Sequence, residues 1–185
     1  MADSNTSALL AAFPFVDDAE IRDWRAQFIA LAEEGAQAYA RSRLEGHFTG
    51  SSWLVSADGL RVLLTHHKKL DRWLQLGGHA DGDADLAAVA LKEAEEESGL
   101  SDLSVEPEIF DIDLHFIPEH KGVPGHWHYD ARFVVVANGD ERFAVSDESH
   151  ALAWRDIASL AADDSADTSL RRMAQRWLTR RHARP

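Results

Sequence analysis

In the run KEAEEESGL, Glu93, Glu95, Glu96 and Glu97 crowd what reads as the last turn of a helix. Carboxylates there face the negative end of the helix dipole and one another, so the arrangement costs stability. On a helix Glu93 and Glu97 are i and i+4, with Glu96 beside them at i+3, and these three converge on one side. Leu86, Ala87, Ala90, Leu91 and Ala94 point elsewhere, toward a core. Three carboxylates on one patch make a hard-oxygen site of the kind Mg2+ or Mn2+ prefers, and a bound ion would remove the repulsion. The competing reading is a solvated acidic face, since glutamate is a good helix former and charge runs usually mean exposure.

A second set of reactive groups lies in HWHYDARF. A strand there puts His126, His128, Asp130 and Arg132 on one face and Trp127, Tyr129, Ala131 and Phe133 on the other. The second face reads as core. The first reads either as an ordinary polar sheet face or as the lining of a substrate cleft, with Arg132 on a phosphate and His126 or His128 on metal or phosphate. His47, His66, His67 and His79 flank the acidic segment, and histidines at several ends of one sheet could assemble a second metal site with nitrogen ligands. Any one of them alone reads first as a structural histidine. Trp53 and Trp73 could stack a nucleobase, or pack a core as such residues more often do. The arginines near the C-terminus complement the negative end of their helix or grip an anion.

These groups need elements to hold them. Residues 1–14 read as a loose start. Asp17 and Glu20, at capping-box spacing, open a helix carrying Ile21, Trp24, Phe28 and Leu31, and Gly35 separates it from a further helical piece over 36–44. Residues 1–45 thus form a helical arm, and 46–185 the main domain. From His47, two apolar runs flank the hairpin signal Asp58-Gly59. Asp83 or Asp85 caps the acidic helix and Gly99 ends it. Phe110, Ile112, Leu114 and Phe116 alternate with Asp111, Asp113 and His115, the period of a strand with one buried face. HWHYDARFVVVA is a further strand, and another lies near Ala151–Trp154. A C-terminal helix follows, with Leu170, Met173, Trp177 and Leu178 as its apolar stripe. Interleaved strands and helices joined partly by hairpins predict an α+β fold, a mixed sheet between helices (an α/β/α sandwich), over a doubly wound one.

The acidic segment resembles the signature of the Nudix hydrolase superfamily, G-x5-E-x7-R-E-U-x-E-E-x-G-U, where U is a bulky apolar residue. The match runs Gly78, Ala84, Lys92, Glu93, Ala94, Glu96, Glu97, Gly99, Leu100. Ala84 stands where the family has Glu, Lys92 where it has Arg, and Ala94 is smaller than usual. In the family that Glu and Arg brace the loop-helix-loop and the later glutamates hold the metal, so the departures bear on the bracing. Lys92 can still reach Asp83 or Asp85, without the arginine fork. The approach Trp73-Leu74-Gln75-Leu76-Gly77-Gly78 is similar to the family's Trp-x-x-Pro-Gly-Gly without its proline, and Glu148–Trp154 is similar to its late strand ending in Trp. HFTGS, HHKKLDRWLQLGGH and HWHYDARF look like a bacterial subgroup of the family.

The resemblance implies that Glu93, Glu96 and Glu97 bind Mg2+ or Mn2+, with the Gly78 carbonyl and His79 as further ligands. It implies hydrolysis of a nucleoside diphosphate linked to another moiety. The general base would be a glutamate of the cluster or an acid of a later loop, with Glu96 and Glu148 both open. Arg132, His126, His128, Asp130 and Trp73 would face the substrate. An alternative is an isomerase resembling isopentenyl diphosphate isomerase, which shares the fold and uses histidine-rich metal binding. The absence of cysteine argues against it, because that enzyme uses a catalytic cysteine. Another is a non-catalytic ligand sensor of the same fold, favoured by Ala84 and Lys92 and opposed by the intact glutamates.

The bulk numbers bound these readings. The 185 residues suit one domain with an extension, and 45% hydrophobic content is ample for a core. A net charge of −13 disfavours a nucleic acid polymer but admits a small phosphorylated substrate bridged by a divalent cation. With no cysteine, disulfides and thiolate sites are excluded. No charged-then-apolar leader and no bilayer-spanning run stand out, so no membrane partner and a cytoplasmic location are expected. Many Nudix proteins are dimers, and the N-terminal arm could serve a homodimer as its interface.

Overall fold

The apolar repeats become five helices and seven strands in a computed structural model of the chain, which describes residues 3–13, 18–68, 70–120, 122–145 and 149–183. The expected loose start is a helix, α1 (Asp3–Ala12), whose apolar run buries Leu10 with Phe13 just beyond it. Arg25 donates to the Leu10 and Ala11 carbonyls at 2.6 and 2.7 Å, satisfying carbonyls that a short helix leaves open at its end. In α2 (Ala19–Ala32) the cap is Asp18, whose Oδ1 accepts from the N–H groups of Glu20 and Ile21. Asp17 lies outside the described residues. The helical piece expected over 36–44 is only a 3-10 turn (Gly35–Tyr39), entered through Gly35 at φ 78°.

The strands are β1 (Gly46–Val55), β2 (Arg61–His67), β3 (Arg72–Leu74), β4 (Leu76–His79), β5 (Leu103–Ile117), β6 (His126–Ala137) and β7 (Ser149–Asp156). They form one mixed sheet of order β3-β2-β1-β6-β5, with β4 paired to β1 and β7 to β2, and with helices packed on it in the α+β arrangement expected. The β1–β2 hairpin turns at Asp58-Gly59 as read. Gly59 sits at φ 66°, and Asp58 Oδ1 accepts from Ser56 Oγ and the Leu60 N–H. The remaining helices are α3 (Leu86–Ser98), α4 (Ile157–Ala162) and α5 (Thr168–Ala183). Leu170, Met173 and Trp177 face inward on α5 as predicted.

The chain gathers into two compact units, Met1–Ser51 with Gly77–Ala90 and Glu106–Phe133, and Ser52–Leu76 with Leu91–Val105 and Val134–Pro185. In the first unit the arm supplies core: the Phe28 ring lies 5.8 Å from Phe48 and 5.3 Å from Tyr129, and Tyr39 stacks on Phe48 at 5.1 Å. In the second, Leu54, Leu63, Leu76, Ala94, Leu100, Val135, Ala137 and Leu152 form the buried cluster. Ala94, small for the signature position, is fully buried there. Trp53 is also fully buried, so it is a core residue and not a base-stacking one.

Strand periodicity misleads along β5. Ile109, Phe110, Asp111 and Ile112 are all buried, while Phe116 is 52% exposed. The middle of β5 is covered on both faces, and toward its end the cover thins, with Asp113, Leu114, His115 and Ile117 half-buried and Phe116 exposed. No helix among the described residues is long and apolar enough to cross a membrane.

Candidate functional site

Helix α3 starts where Asp85 Oδ1 accepts from the Ala88 N–H at 3.0 Å, while Asp83 turns the preceding backbone by accepting from the Asp85 N–H. Of the two expected caps, Asp85 therefore does the capping. The helix ends at Gly99, at φ 67°, whose N–H donates to the Glu95 carbonyl. On its second half Glu93 is half-buried, its side chain 18% exposed, and Glu97 is half-buried one turn on, whereas Glu95 and Glu96 are exposed. The uniformly solvated face is thus not what forms. Two carboxylates of one helix edge are partly withdrawn from water, where like charges repel more strongly. Lys92 pairs with Glu93 and Glu96 at 3.9 and 3.7 Å, not with Asp83 or Asp85. At 64% exposure it offsets little of that repulsion. The donor set, all carboxylate oxygen, fits a hard divalent ion.

Gly78 lies in β4, and its neighbour Gly77 explains the glycine pair. A Cβ on Gly77 would meet the Ser51 side chain and stand 2.7 Å from Ser51 Cα, so only glycine lets β4 lie against β1 here. Gly50 is the same kind of contact toward α3, since a Cβ there would sit 2.8 Å from the Leu86 carbonyl oxygen.

Beyond Gly78, His79 joins three other histidines. Imidazole nitrogens of His47 on β1, His79 on β4, and His126 and His128 on β6 all lie within 4.8 Å of one another. Ring centroids are 5.0 to 5.3 Å apart for His47–His79, His47–His126, His47–His128, His79–His128 and His126–His128. Burial pushes the His128 imidazole down to about 2 and His79 to about 4, with neighbouring positive charge adding to the effect, and it lowers His47 as well. The i, i+2 pair in HWHYDARF was visible in sequence. That His47 and His79 meet it is a consequence of β4 and β6 both adjoining β1. His66 and His67, expected as possible partners, are placed otherwise: His66 lies 5.2 Å from Trp73 and 5.6 Å from His150, and His67 Nδ1 accepts from the Leu70 N–H.

The rest of the HWHYDARF face is buried, not open. Asp130 is 2% exposed and accepts from Thr49 Oγ1, Ser51 Oγ and Arg132 Nε at 2.9, 2.7 and 2.8 Å. Arg132 is equally buried and also faces Asp111 at 3.4 Å and Asp113 at 3.6 Å. Burial disfavours its charge, but Asp113, Asp130 and Asp111 outweigh that and hold the guanidinium above its ordinary range. The structure therefore brings Arg132 and Asp130 to one another and not to solvent. Asp111 and Asp113 were read only as the polar side of a strand, although carboxylates two apart opposite an arginine strand were a readable sign of pairing. Trp127, read as core, is 43% exposed against Phe116. Trp73 is half-buried, with the Arg155 guanidinium 5.7 Å from its ring centroid. Glu148 lies outside the described residues.

A glycine-bounded loop leading into a helix with this acidic edge defines a class, and comparison with known proteins agrees with it. A NUDIX domain profile matches residues 47–177. The chain belongs to the Nudix family. No curated protein matches the sequence. Among solved structures it is similar to a C. elegans Ap4A hydrolase at 15% identity, covering 73% of this chain and 97% of that one with a TM-score of 0.56. It is similar to the E. coli dihydroneopterin triphosphate pyrophosphohydrolase at 17% identity, covering 72% and 95%, TM-score 0.56. A UDP-X diphosphatase matches at 16% identity, covering 97% and 93%, TM-score 0.52. At such identities the likeness is one of fold.

Proposed function

We propose that this protein hydrolyses the diphosphate of a nucleoside diphosphate linked to another moiety, using Mg2+ or Mn2+ held by Glu93, Glu96 and Glu97. The observation that carries the reading is the half-burial of Glu93 and Glu97 one turn apart in a helix of a Nudix domain. Carboxylate oxygens so placed are donors of the kind a hard divalent cation takes. A divalent ion bound there supplies charge neutralisation of the diphosphate and Lewis acidity toward the attacking water. The protein's own part is to place the ion, to orient the water and to accept its proton. Glu96, exposed beside the half-buried pair, and Glu148 are the two candidates for that base. The fold relatives are named for Ap4A, UDP-X and dihydroneopterin triphosphate, and a polyphosphate small molecule is the chemistry those names share.

The test is a screen of nucleoside diphosphate derivatives with Mg2+ and with Mn2+, reading released products for the native enzyme and for Glu97→Gln. Metal-dependent turnover that falls at least a hundredfold in Glu97→Gln, with helical circular dichroism unchanged, is expected. Full turnover by the variant, or native turnover in the presence of chelator, would refute the assignment. Calorimetry showing no Mg2+ or Mn2+ binding would instead favour the sensor reading.

A further inference from the structure

The four-histidine cluster is unlike the carboxylate edge of α3 in every chemical respect. Its donors are imidazoles, it is mostly buried, and it joins three adjacent strands. His47 Nδ1 lies 3.2 Å from the Arg43 carbonyl oxygen and His126 Nδ1 lies 2.8 Å from that of Pro124. A carbonyl only accepts, so both rings donate through Nδ1, and in the neutral form each carries its lone pair on Nε2. His47 Nε2 is buried with no hydrogen-bond partner, on a residue only 2% exposed. His126 Nε2 faces His128 Nε2 at 3.2 Å. The Nε2 lone pairs of His47 and His126 thus belong to one cluster of imidazoles, and that of His47 meets no donor. A buried acceptor left so is uncommon in a folded protein and calls for a ligand.

The spacing says which kind of ligand. A tetrahedral zinc ion with nitrogens at about 2.0–2.1 Å separates them by roughly 3.3–3.4 Å. The 3.2 Å pair already meets that separation, and a set confined within 4.8 Å reaches it by small ring rotations. Carbonyls that hold the remote nitrogens are the partners metal-bound histidines ordinarily have. Imidazoles select late first-row ions and are poor ligands for Mg2+. We propose that His47, His79, His126 and His128 form a site for a late first-row divalent cation, Zn2+ first, separate in chemistry from the Mg2+ or Mn2+ site of the glutamates.

With four protein ligands the coordination of a tetrahedral ion is filled, which makes this a closed, structural site. Its effect is to pin β4 to β1 and β6 next to Gly78, at the entry to the loop before α3. The inference does not depend on the hydrolase reading, and no substrate is needed to test it.

The experiment uses the full chain stripped of metal by chelator and dialysis, titrated with Co2+ as a spectroscopic stand-in for Zn2+. One equivalent of Co2+ should give the intense visible bands of a tetrahedral nitrogen site. One equivalent of Zn2+ should abolish them, and excess Mg2+ should leave them. The bands should persist in Glu97→Gln and disappear in His79→Gln and in His128→Gln, with Zn2+ affinity reduced more than tenfold by calorimetry. Zn2+ should also raise the melting temperature of the native chain but not that of the histidine variants. Weak octahedral Co2+ absorption in the native protein would overturn the proposal, as would bands that survive both histidine variants or vanish with Glu97→Gln. Because the native spectrum is decisive by itself, a variant that failed to fold would not shield the idea.

Discussion

Replacing Arg132 by Leu separates two roles that one residue type could serve. The sequence pattern admits a guanidinium waiting for phosphate, whereas the structure buries it at 2% exposure among Asp130, Asp111 and Asp113, at 2.8, 3.4 and 3.6 Å. Removing it leaves Asp111 and Asp130, 0% and 2% exposed, without their cation. Breaking a buried pair from one side costs about 3–5 kcal/mol, because the uncompensated charge stays inside. For a chain of this length each kcal/mol lowers the melting temperature by about 2–4 °C, so a fall of roughly 6–20 °C is expected. Arg132→Lys keeps the charge but lacks the fork that reaches three carboxylates, and should lie between the two. The assay is thermal unfolding followed by tryptophan fluorescence, set beside KM and kcat for whichever substrate the screen returns. A variant that melts within about 2 °C of the native protein while its KM rises tenfold would refute the structural account and restore the phosphate contact.

Gly77→Ala should destabilise the protein by about 1–3 kcal/mol, since its Cβ would meet the Ser51 side chain and also stand 2.7 Å from Ser51 Cα, so that the backbone must give as well as the hydroxyl; urea unfolding reads this, and an unchanged midpoint would count against the β4–β1 contact. In the metal-stripped protein, His79 and His128 titrate near 4 and 2 in the fold, but near 6.5 in the unfolded chain. Below pH 6.5 the unfolded chain therefore binds more protons, and the stability present at neutral pH is lost as the pH falls toward 4. Urea midpoints measured between pH 7.5 and pH 4.5 should drop more steeply for the native chain than for His128→Gln, and equal slopes would contradict the burial described.

What could be read from the sequence follows the range of the forces involved. The Asp58-Gly59 turn, the stop at Gly99 and the inward stripe of α5 are local, fixed by φ angles and by period, and the structure has them as read. The cap of α2 falls on Asp18, one residue beyond the expected Asp17, because capping-box spacing alone does not fix which of two adjacent aspartates holds the first free N–H groups. The helix over residues 3–12 was missed because nothing in its own sequence announces its C-terminal support, which arrives from Arg25. The glutamates of α3 were legible as a candidate site from like charges at i, i+3 and i+4. Their graded burial was not, because it depends on what covers each position.

The face of β6 was misread for a more general reason. Alternation tells which residues share a side of a strand, but not whether that side meets water. Along one face the same strand carries two imidazoles that converge with His47 and His79, then an aspartate and an arginine sealed by Thr49, Ser51, Asp111 and Asp113. A buried arginine matched by carboxylates sets the register of β6 against its neighbours, because a one-residue slip would bury those charges unpaired. That register is what brings His126 and His128 opposite His47. The ion network and the histidine cluster are therefore linked through the strand that carries both. If so, Arg132→Leu should weaken Co2+ binding at the histidines even in the fraction that remains folded, and intact tetrahedral bands in that variant would show that the strand keeps its register without the charges.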